Sequence, residues 1–355
     1  MTVTDALTES AAVTGRVNGS LDAFLRERLA GESDPAARTA LALLRDFTLD
    51  GGKRIRPLFC YWGWRGAGGS PDDREVITVA AALELFHTAA LIHDDIIDNS
   101  DLRRGRPTVH LSLDKWHAEQ DWPGESRTFG QSGALLVGDA CLIWSEELFH
   151  NSPLVTRREV ARRLFARLRQ SAVYGEYLDL VGETRCGRLD DALKIIRHKT
   201  ASYTVRYPLQ IGGALADASD ELLAAYDTFG LLLGEAFQLR DDLIGLFGAS
   251  ELTGKEPSDD ARQGKPTALI AVARERADAG QRARLDLLYG DARLDLEGLA
   301  ELRDVVRATG ATAVVERMIR ERHAGAVRAL RGARVDPSAL TELEALAATS
   351  VHRER

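Results

Sequence analysis

Residues 76–98 read VITVAAALELFHTAALIHDDIID, and this stretch decides the fold. Apolar side chains cover nearly the whole circumference of a 3.6-residue helix until aspartates close the run. A helix apolar all round belongs in the middle of a protein. Residues 222–247, LLAAYDTFGLLLGEAFQLRDDLIGLF, repeat the arrangement. Burying ionised carboxylates costs several kcal/mol each unless a metal or another cation compensates. Two such helices, each ending in acid, point to a semi-buried place that holds cations.

Outward from these stretches the chain stays helical. Ala, Leu, Arg and Glu fill most windows, and β-branched alternation is scarce. Helices are predicted over Ser20–Ala30, Pro35–Phe47, Arg74–Asp98, Gly133–Phe149, Thr156–Leu180, Leu189–Lys199, Ser202–Leu215, Asp220–Phe247, Lys265–Arg276 and Leu296–Leu330. Loop chemistry separates them at Trp64–Asp73, Arg103–Pro107, Trp122–Gly130 and Ala249–Gly264. No linker composition divides the chain and no repeat of fixed period occurs. The expectation is one all-α domain over residues 20–350, preceded by a flexible N-terminus, 1–19.

The chain has 355 residues, with 46 Lys+Arg against 54 Asp+Glu and a net charge of −8. That balance argues against a nucleic-acid or anionic-membrane binder, which would carry a basic stripe. It leaves anionic small substrates open. Cys60, Cys141 and Cys186 are far apart and odd in number, so a disulfide framework or cysteine zinc site is not expected. The opening MTVTDALTESAAVTG lacks a secretory pattern. The most apolar run, Val76–Ile97, is interrupted by Glu84, His87, His93 and aspartates, so no membrane span is expected. A cytoplasmic protein fits these features.

In Asp94-Asp95-Ile96-Ile97-Asp98, Asp94 and Asp98 stack one turn apart, while Asp95 points about 100° round the helix. Oxygen ligands so arranged suit a hard divalent ion such as Mg²⁺. A lone D-D-x-x-D also describes a solvated helix end; the apolar run before it argues for the buried reading. In the second cluster, Gln238-Leu239-Arg240-Asp241-Asp242, the next helix-spaced position is Gly245, so fewer ligands are on offer. A partly exposed helix end is the alternative there. Cations form a complementary set: Gly51-Gly52-Lys53-Arg54-Ile55-Arg56-Pro57, Arg103-Arg104-Gly105-Arg106, Lys199-Thr200, Lys255 and Lys265. Glycines let backbone N–H groups approach an anion, and arginine offers phosphate paired donors. Any one of these alone reads as surface charge. Together they describe a Mg²⁺–diphosphate site without a nucleophile, because no G-x-S-x-G, P-loop, G-x-G-x-x-G or H-E-x-x-H pattern occurs. His87, two turns before Asp94 on nearly the same face, either lines that site or is a core histidine.

In the order GGKRIRP (51–57), HTAALIHDDIID (87–98), RRGRPTVH (103–110), GDACL (138–142), GEYLD (175–179), KTASYTV (199–205), FQLRDD (237–242) and GKEPSDDARQGKPT (254–267), the sequence resembles the trans-isoprenyl diphosphate synthases of the polyprenyl synthetase family across residues 20–330. The resemblance implies an antiparallel bundle of helices around a deep central cavity, usually homodimeric. It implies Mg²⁺-dependent head-to-tail condensation of isopentenyl diphosphate with allylic diphosphates. Asp94, Asp98 and Asp241 would bind the Mg²⁺ ions, with Asp95 and Asp242 in support. Arg103, Lys199, Lys255 and, as a weaker correspondence, Lys265 would grip the allylic diphosphate. Lys53, Arg56, His87 and Arg104 would hold the diphosphate of isopentenyl diphosphate. Thr200 and Gln238 would sit beside the reacting carbons. Two departures stand out: Gly245 replaces the last aspartate of the second acidic motif, and Glu176 stands where many short-chain members carry Gln.

The growing tail is expected to run down the first acidic helix, each residue before Asp94 lying about 1.5 Å deeper. Ala90 and Ala89, one turn down, are small, and Phe86, two turns down, would be the floor. The expected product is the C20 geranylgeranyl diphosphate, with C15 farnesyl diphosphate or a longer product as alternatives. A class I terpene cyclase would not need Lys53, Arg56, His87 and Arg104, and a non-catalytic partner subunit would have lost its acidic clusters.

Overall fold

A computed structural model describes residues 3–183, 187–248 and 259–352. The chain divides into two compact units: Met1–Phe165, Pro208–Ala218 and Asp336–Thr341 form the first, and Ala166–Tyr207, Ser219–Val335 and Glu342–Arg355 the second. The first boundary falls inside a helix, which is why no linker composition marks it.

The first unit opens with α1 (Val3–Gly31) and α2 (Pro35–Leu49). Helix α1 starts seventeen residues before the predicted Ser20. The stretch expected to be flexible is helical from Val3, because Val13 and Val17 are buried and Arg16 donates to the carbonyls of Pro71 and Asp73. Asp34 caps α2 by accepting from the N–H groups of Ala36 and Ala37, with Pro35 at the first helical position. Then come α3 (Ile55–Gly66), α4 (Glu75–Ile97), a hairpin of β1 (Leu102–Arg103) and β2 (Arg106–Pro107), α5 (Val109–Glu119), α6 (Ser126–Asn151) and α7 (Pro153–Thr156). Helix α4 is the core of this unit, packed chiefly on α6 and α3. Ser145 Oγ of α6 donates to the Ala82 carbonyl of α4 at 2.9 Å. Among the described helices α4 is the one long and apolar enough to cross a membrane, but 72% of its apolar window is buried inside the protein. It is a core helix.

Helix α8 (Glu159–Glu183) carries the chain into the second unit, which continues with α9 (Leu189–Ile195) and a π-helical stretch, Ile196–Arg206. Helix α10 (Tyr207–Leu215) belongs almost wholly to the first unit. The second unit then holds α11 (Asp220–Phe247), α12 (Asp259–Gln263), α13 (Ala268–Arg276), α14 (Ala279–Leu288), α15 (Leu296–Ala308), α16 (Ala311–Arg331) and the larger part of α17 (Pro337–Val351). Helix α11 packs on α16 and on the π-helical stretch.

The differences from the sequence reading have physical causes. Helices α3, α5, α7, α12, α14 and α17 fall outside the predicted helices, α12 inside the predicted loop Ala249–Gly264, and α3 carries a proline and an aromatic cluster that resembles strand composition. Predicted Leu296–Leu330 is broken at Gly310, whose positive φ of 73° ends one helix and starts the next. The predicted break between Lys199 and Ser202 is absent, because a π-helix carries the chain through it. Arg103–Pro107 is a hairpin rather than a loop. Arg104 and Gly105 both have positive φ, 54° and 75°, as a two-residue type I′ turn requires.

Candidate active site

In the first unit the hairpin returns the chain to the end of α4. After Asp98 the backbone reverses through Asn99, at φ 50°. Arg103 then donates from Nη2 to Asp94 Oδ2 at 2.9 Å and from Nε to Asp95 Oδ1 at 2.8 Å. Burial opposes the charge on Arg103, but the Asp95 and Asp94 carboxylates together outweigh it and raise the guanidinium's pKa. The two aspartates differ in environment. Asp95 is fully buried, whereas Asp94 and Asp98 lie half-buried on the same face of α4 as His87, Ala90 and Leu91.

The glycine pair shapes the adjoining loop. Gly51 and Gly52 have φ of 69° and 91°, and a Cβ on Gly52 would meet Arg104 Nη2 at 3.1 Å and Arg54 Nη1 at 3.2 Å. Arg54 caps α3 in the left-handed region and is itself buried. Its guanidinium donates to Glu84 Oε1 (2.6 Å), Asn18 Oδ1 (2.7 Å) and the Thr48 carbonyl (2.8 Å). Of the three basic residues in this loop, Arg54 is thus a strut, while Lys53 is exposed and Arg56 half-buried. Arg104 donates to the Asp50 carbonyl. Burial, and then the charges of Arg56, Arg104, Arg103 and Arg54, hold His87 well below the ordinary histidine pKa. A neutral imidazole among four guanidiniums can donate one N–H to an anion without adding charge.

In the second unit the other acidic cluster is built on α11. Thr200 Oγ1 donates to Gln238 Oε1 at 2.8 Å, and Gln238 Nε2 donates to Asp242 Oδ1 at 3.0 Å. Asp242 Oδ2 accepts from the Ala268 N–H, at the start of α13, at 3.1 Å. Asp242 is therefore buried and engaged through both oxygens, while its neighbour Asp241 and Gly245 are half-buried. The pattern repeats that of Asp94 and Asp95. In each pair the first aspartate lies on a more open face and the second anchors the local structure.

Lys199 sits in the π-helical stretch and donates to Asp179 Oδ2 at 2.6 Å and to Glu176 at 3.0 Å. Close packing fixes this placement: a Cβ on Gly175 would lie 2.3 Å from the Lys199 N–H nitrogen, so α8 and the π-helix touch through backbone. The Lys265 carbonyl accepts from the Tyr289 hydroxyl. Lys255 lies outside the described residues. Phe86 and Ala89 are buried in α4, and Ala90 is half-buried. The sequence reading missed Glu84 and Asn18 behind the Gly51–Arg56 loop, and Asp179 beside Lys199. Glu84 had a signal, being the one acid inside the apolar run of residues 76–92.

The donor chemistry fits Mg²⁺. Asp94 and Asp98 offer only carboxylate oxygens, at i and i+4 on one half-open face, which suits a hard divalent cation.

The family described as Polyprenyl synthetase matches residues 38–306. The chain is 31% identical to a geranylfarnesyl diphosphate synthase of Aeropyrum pernix, over 76% of this chain and 79% of that protein. It is 30% identical to a geranylgeranyl diphosphate synthase of Mycobacterium tuberculosis, over 95% and 97%. The crystal structure of a geranylgeranyl pyrophosphate synthase from Corynebacterium glutamicum, complexed with isoprenyl diphosphate and magnesium, is similar with a TM-score of 0.90 and 35% identity, over 97% and 98%. The fold is the all-α architecture of these synthases.

Proposed function

The chain belongs to the polyprenyl synthetase family and is a prenyltransferase, and from that premise we propose that it joins isopentenyl diphosphate head-to-tail to allylic diphosphates, ending at geranylgeranyl diphosphate. The observation that carries this reading is a second basic cluster, Arg56 and Arg104 close to His87, on and beside the helix that ends in Asp94 and Asp98. A terpene cyclase has no use for that second anion site.

Lys53, Arg56, His87 and Arg104 hold the isopentenyl diphosphate. Arg103 and Lys199 take the negative charge of the allylic diphosphate, with Lys255 and Lys265 as further cations. Asp94, Asp98 and Asp241 hold Mg²⁺, and Asp95 and Asp242 keep Arg103 and Gln238 in place. When bound, Mg²⁺ supplies positive charge that offsets the charge growing on the leaving diphosphate. The allylic C–O bond breaks with its electron pair going to the diphosphate, leaving an allylic cation. The isopentenyl double bond attacks that cation and forms the new C–C bond. A proton then leaves the adjacent carbon for the departed diphosphate. Fixed cations that stabilise a leaving group account for the lack of a nucleophilic side chain. Thr200 and Gln238 orient the reacting carbons.

Phe86, eight residues before Asp94 and so about 12 Å deeper along α4, limits the product to C20. A homodimer belongs to the same reading, supported by the exposed apolar residues Leu135, Leu136 and Ile143 of α6; light scattering of the purified chain tests it. The decisive experiment incubates purified protein with labelled isopentenyl diphosphate and each allylic primer, with Mg²⁺ or EDTA, and sizes the products by mass spectrometry. A Mg²⁺-dependent linear C20 diphosphate is expected. A cyclic hydrocarbon, or no elongation with any primer, overturns the reading.

A further inference from the structure

Glu176 is the residue that the mechanism above leaves without a part. It lies on α8 three residues before Asp179, so both carboxylates share one helix face. That face is pressed on the π-helix by the backbone contact at Gly175. Both carboxylates reach the same ammonium: Lys199 Nζ is 2.6 Å from Asp179 Oδ2, 3.0 Å from Glu176 Oε2 and 3.1 Å from Glu176 Oε1. One carboxylate would neutralise Lys199. Two leave a three-charge cluster with a net charge of −1. All three side chains retain partial solvent contact, between 14% and 25% exposed, so an incoming anion meets this net negative charge only partly screened. A glutamine at 176 would keep the side chain's shape and its carbonyl acceptor while restoring neutrality.

We propose that Glu176 sets the affinity of the Lys199 subsite for diphosphate: it competes with the substrate for Lys199 and weakens the grip on the allylic diphosphate and on released pyrophosphate. This rests on the assignment of Lys199 to the allylic diphosphate given above. Lys199 is assigned to the allylic diphosphate, and Lys53, Arg56, His87 and Arg104 to isopentenyl diphosphate, so a change in the grip of Lys199 is read in the allylic KM.

The test compares full-length wild type with Glu176→Gln at saturating Mg²⁺. Binding of inorganic pyrophosphate is measured by calorimetry, and KM is measured for the allylic primer and for isopentenyl diphosphate. Removing a partly exposed like charge is expected to tighten pyrophosphate binding, and to lower the allylic KM, by about threefold to fivefold. KM for isopentenyl diphosphate stays at its wild-type level. The gain shrinks as salt is raised, as a charge effect must and a packing effect need not. Glu176→Asp, which keeps the charge, gives a smaller shift than the amide. Should Glu176→Gln fail to fold, Glu176→Ser carries the same measurement. Pyrophosphate binding that is unchanged, weaker or insensitive to salt overturns the proposal. Lack of elongation by the wild type would overturn the proposed function instead, and the calorimetric comparison would still judge Glu176.

Discussion

Arg54 Nη1 lies 2.6 Å from Glu84 Oε1, and the two side chains are only 1% and 3% exposed. The pair joins the start of α3 to the middle of α4. Asn18 and the Thr48 carbonyl occupy other donors of the guanidinium, so the buried charge has several partners. It fixes the loop Gly51–Arg56 against the helix that carries His87 and Asp94.

Replacing Glu84 by Ala leaves Arg54 charged and buried without its counter-ion. Such a loss is expected to destabilise the protein by about 3–5 kcal/mol. Thermal denaturation should show a large fall in Tm, and KM for isopentenyl diphosphate should rise as the loop loosens. An unchanged Tm would remove the strut role from this pair.

His87 gives a pH dependence whose sign follows from its depressed pKa. Below about pH 6.5 the unfolded chain takes up a proton at this position and the folded protein does not, so stability falls as pH drops, by at most about 1.4 kcal/mol per pH unit. The contribution is fully present above that pH. His110, His150, His198 and His323 act in the same direction, each lowered chiefly by burial. Tm measured between pH 7.5 and 5 should decline, and His87→Gln should make the decline shallower. Parallel curves for the two proteins would contradict the lowered pKa of His87.

The two aspartates of each pair should respond differently to neutralisation. Asp94→Asn and Asp241→Asn are expected to lower kcat by about 10²–10³ with the smaller change in Tm, as loss of one electrostatic contribution at a leaving group does. Asp95→Asn and Asp242→Asn should lower Tm as well, because their oxygens hold Arg103, Gln238 and the start of α13. Steady-state kinetics beside thermal denaturation separates the two classes. Equal losses of Tm across all four would sink the division.

Helices α3 and α10 cross with almost no room. A Cβ on Gly212 would lie 1.8 Å from the Cys60 carbonyl oxygen, and one on Gly63 would lie 2.1 Å from the Leu209 carbonyl oxygen. These obstacles are backbone, not flexible side-chain ends. Gly212→Ala is therefore expected to cost at least about 1–3 kcal/mol by overpacking, read as a lower Tm or loss of folded protein. Wild-type stability in the variant would mean that the crossing is looser than described.

Phe86→Ala should shift the product distribution beyond C20, measured by mass spectrometry of reactions run with excess isopentenyl diphosphate. An unchanged product length would take the floor away from Phe86.

Much of this molecule is legible in local sequence. The apolar runs at 76–92 and 222–239 locate the core helices, and the acids that follow them fall where the reading puts them, because helical periodicity depends on near neighbours only. The missed elements lack that signal. Helix α3 is short, has Arg56, Pro57 and Arg65 among its apolar residues and follows a left-handed residue, and the π-helical stretch 196–206 depends on packing beside Gly175, Gly230 and Gly234 of other helices. The hairpin carries no strand pattern in the sequence because its strands are two residues long.

The sequence by itself determined that the chain is helical, which helices are buried, and where carboxylates and basic residues gather, since each depends on composition and on spacing within a few turns. Only the tertiary structure decided what each charged group does. Arg54 became a strut through Glu84, thirty residues away. Asp242 became an anchor through Ala268, twenty-six away, and Lys199 acquired two carboxylates from α8. A charge can be read from one position, but its neutralisation depends on residues that only folding brings within hydrogen-bond reach.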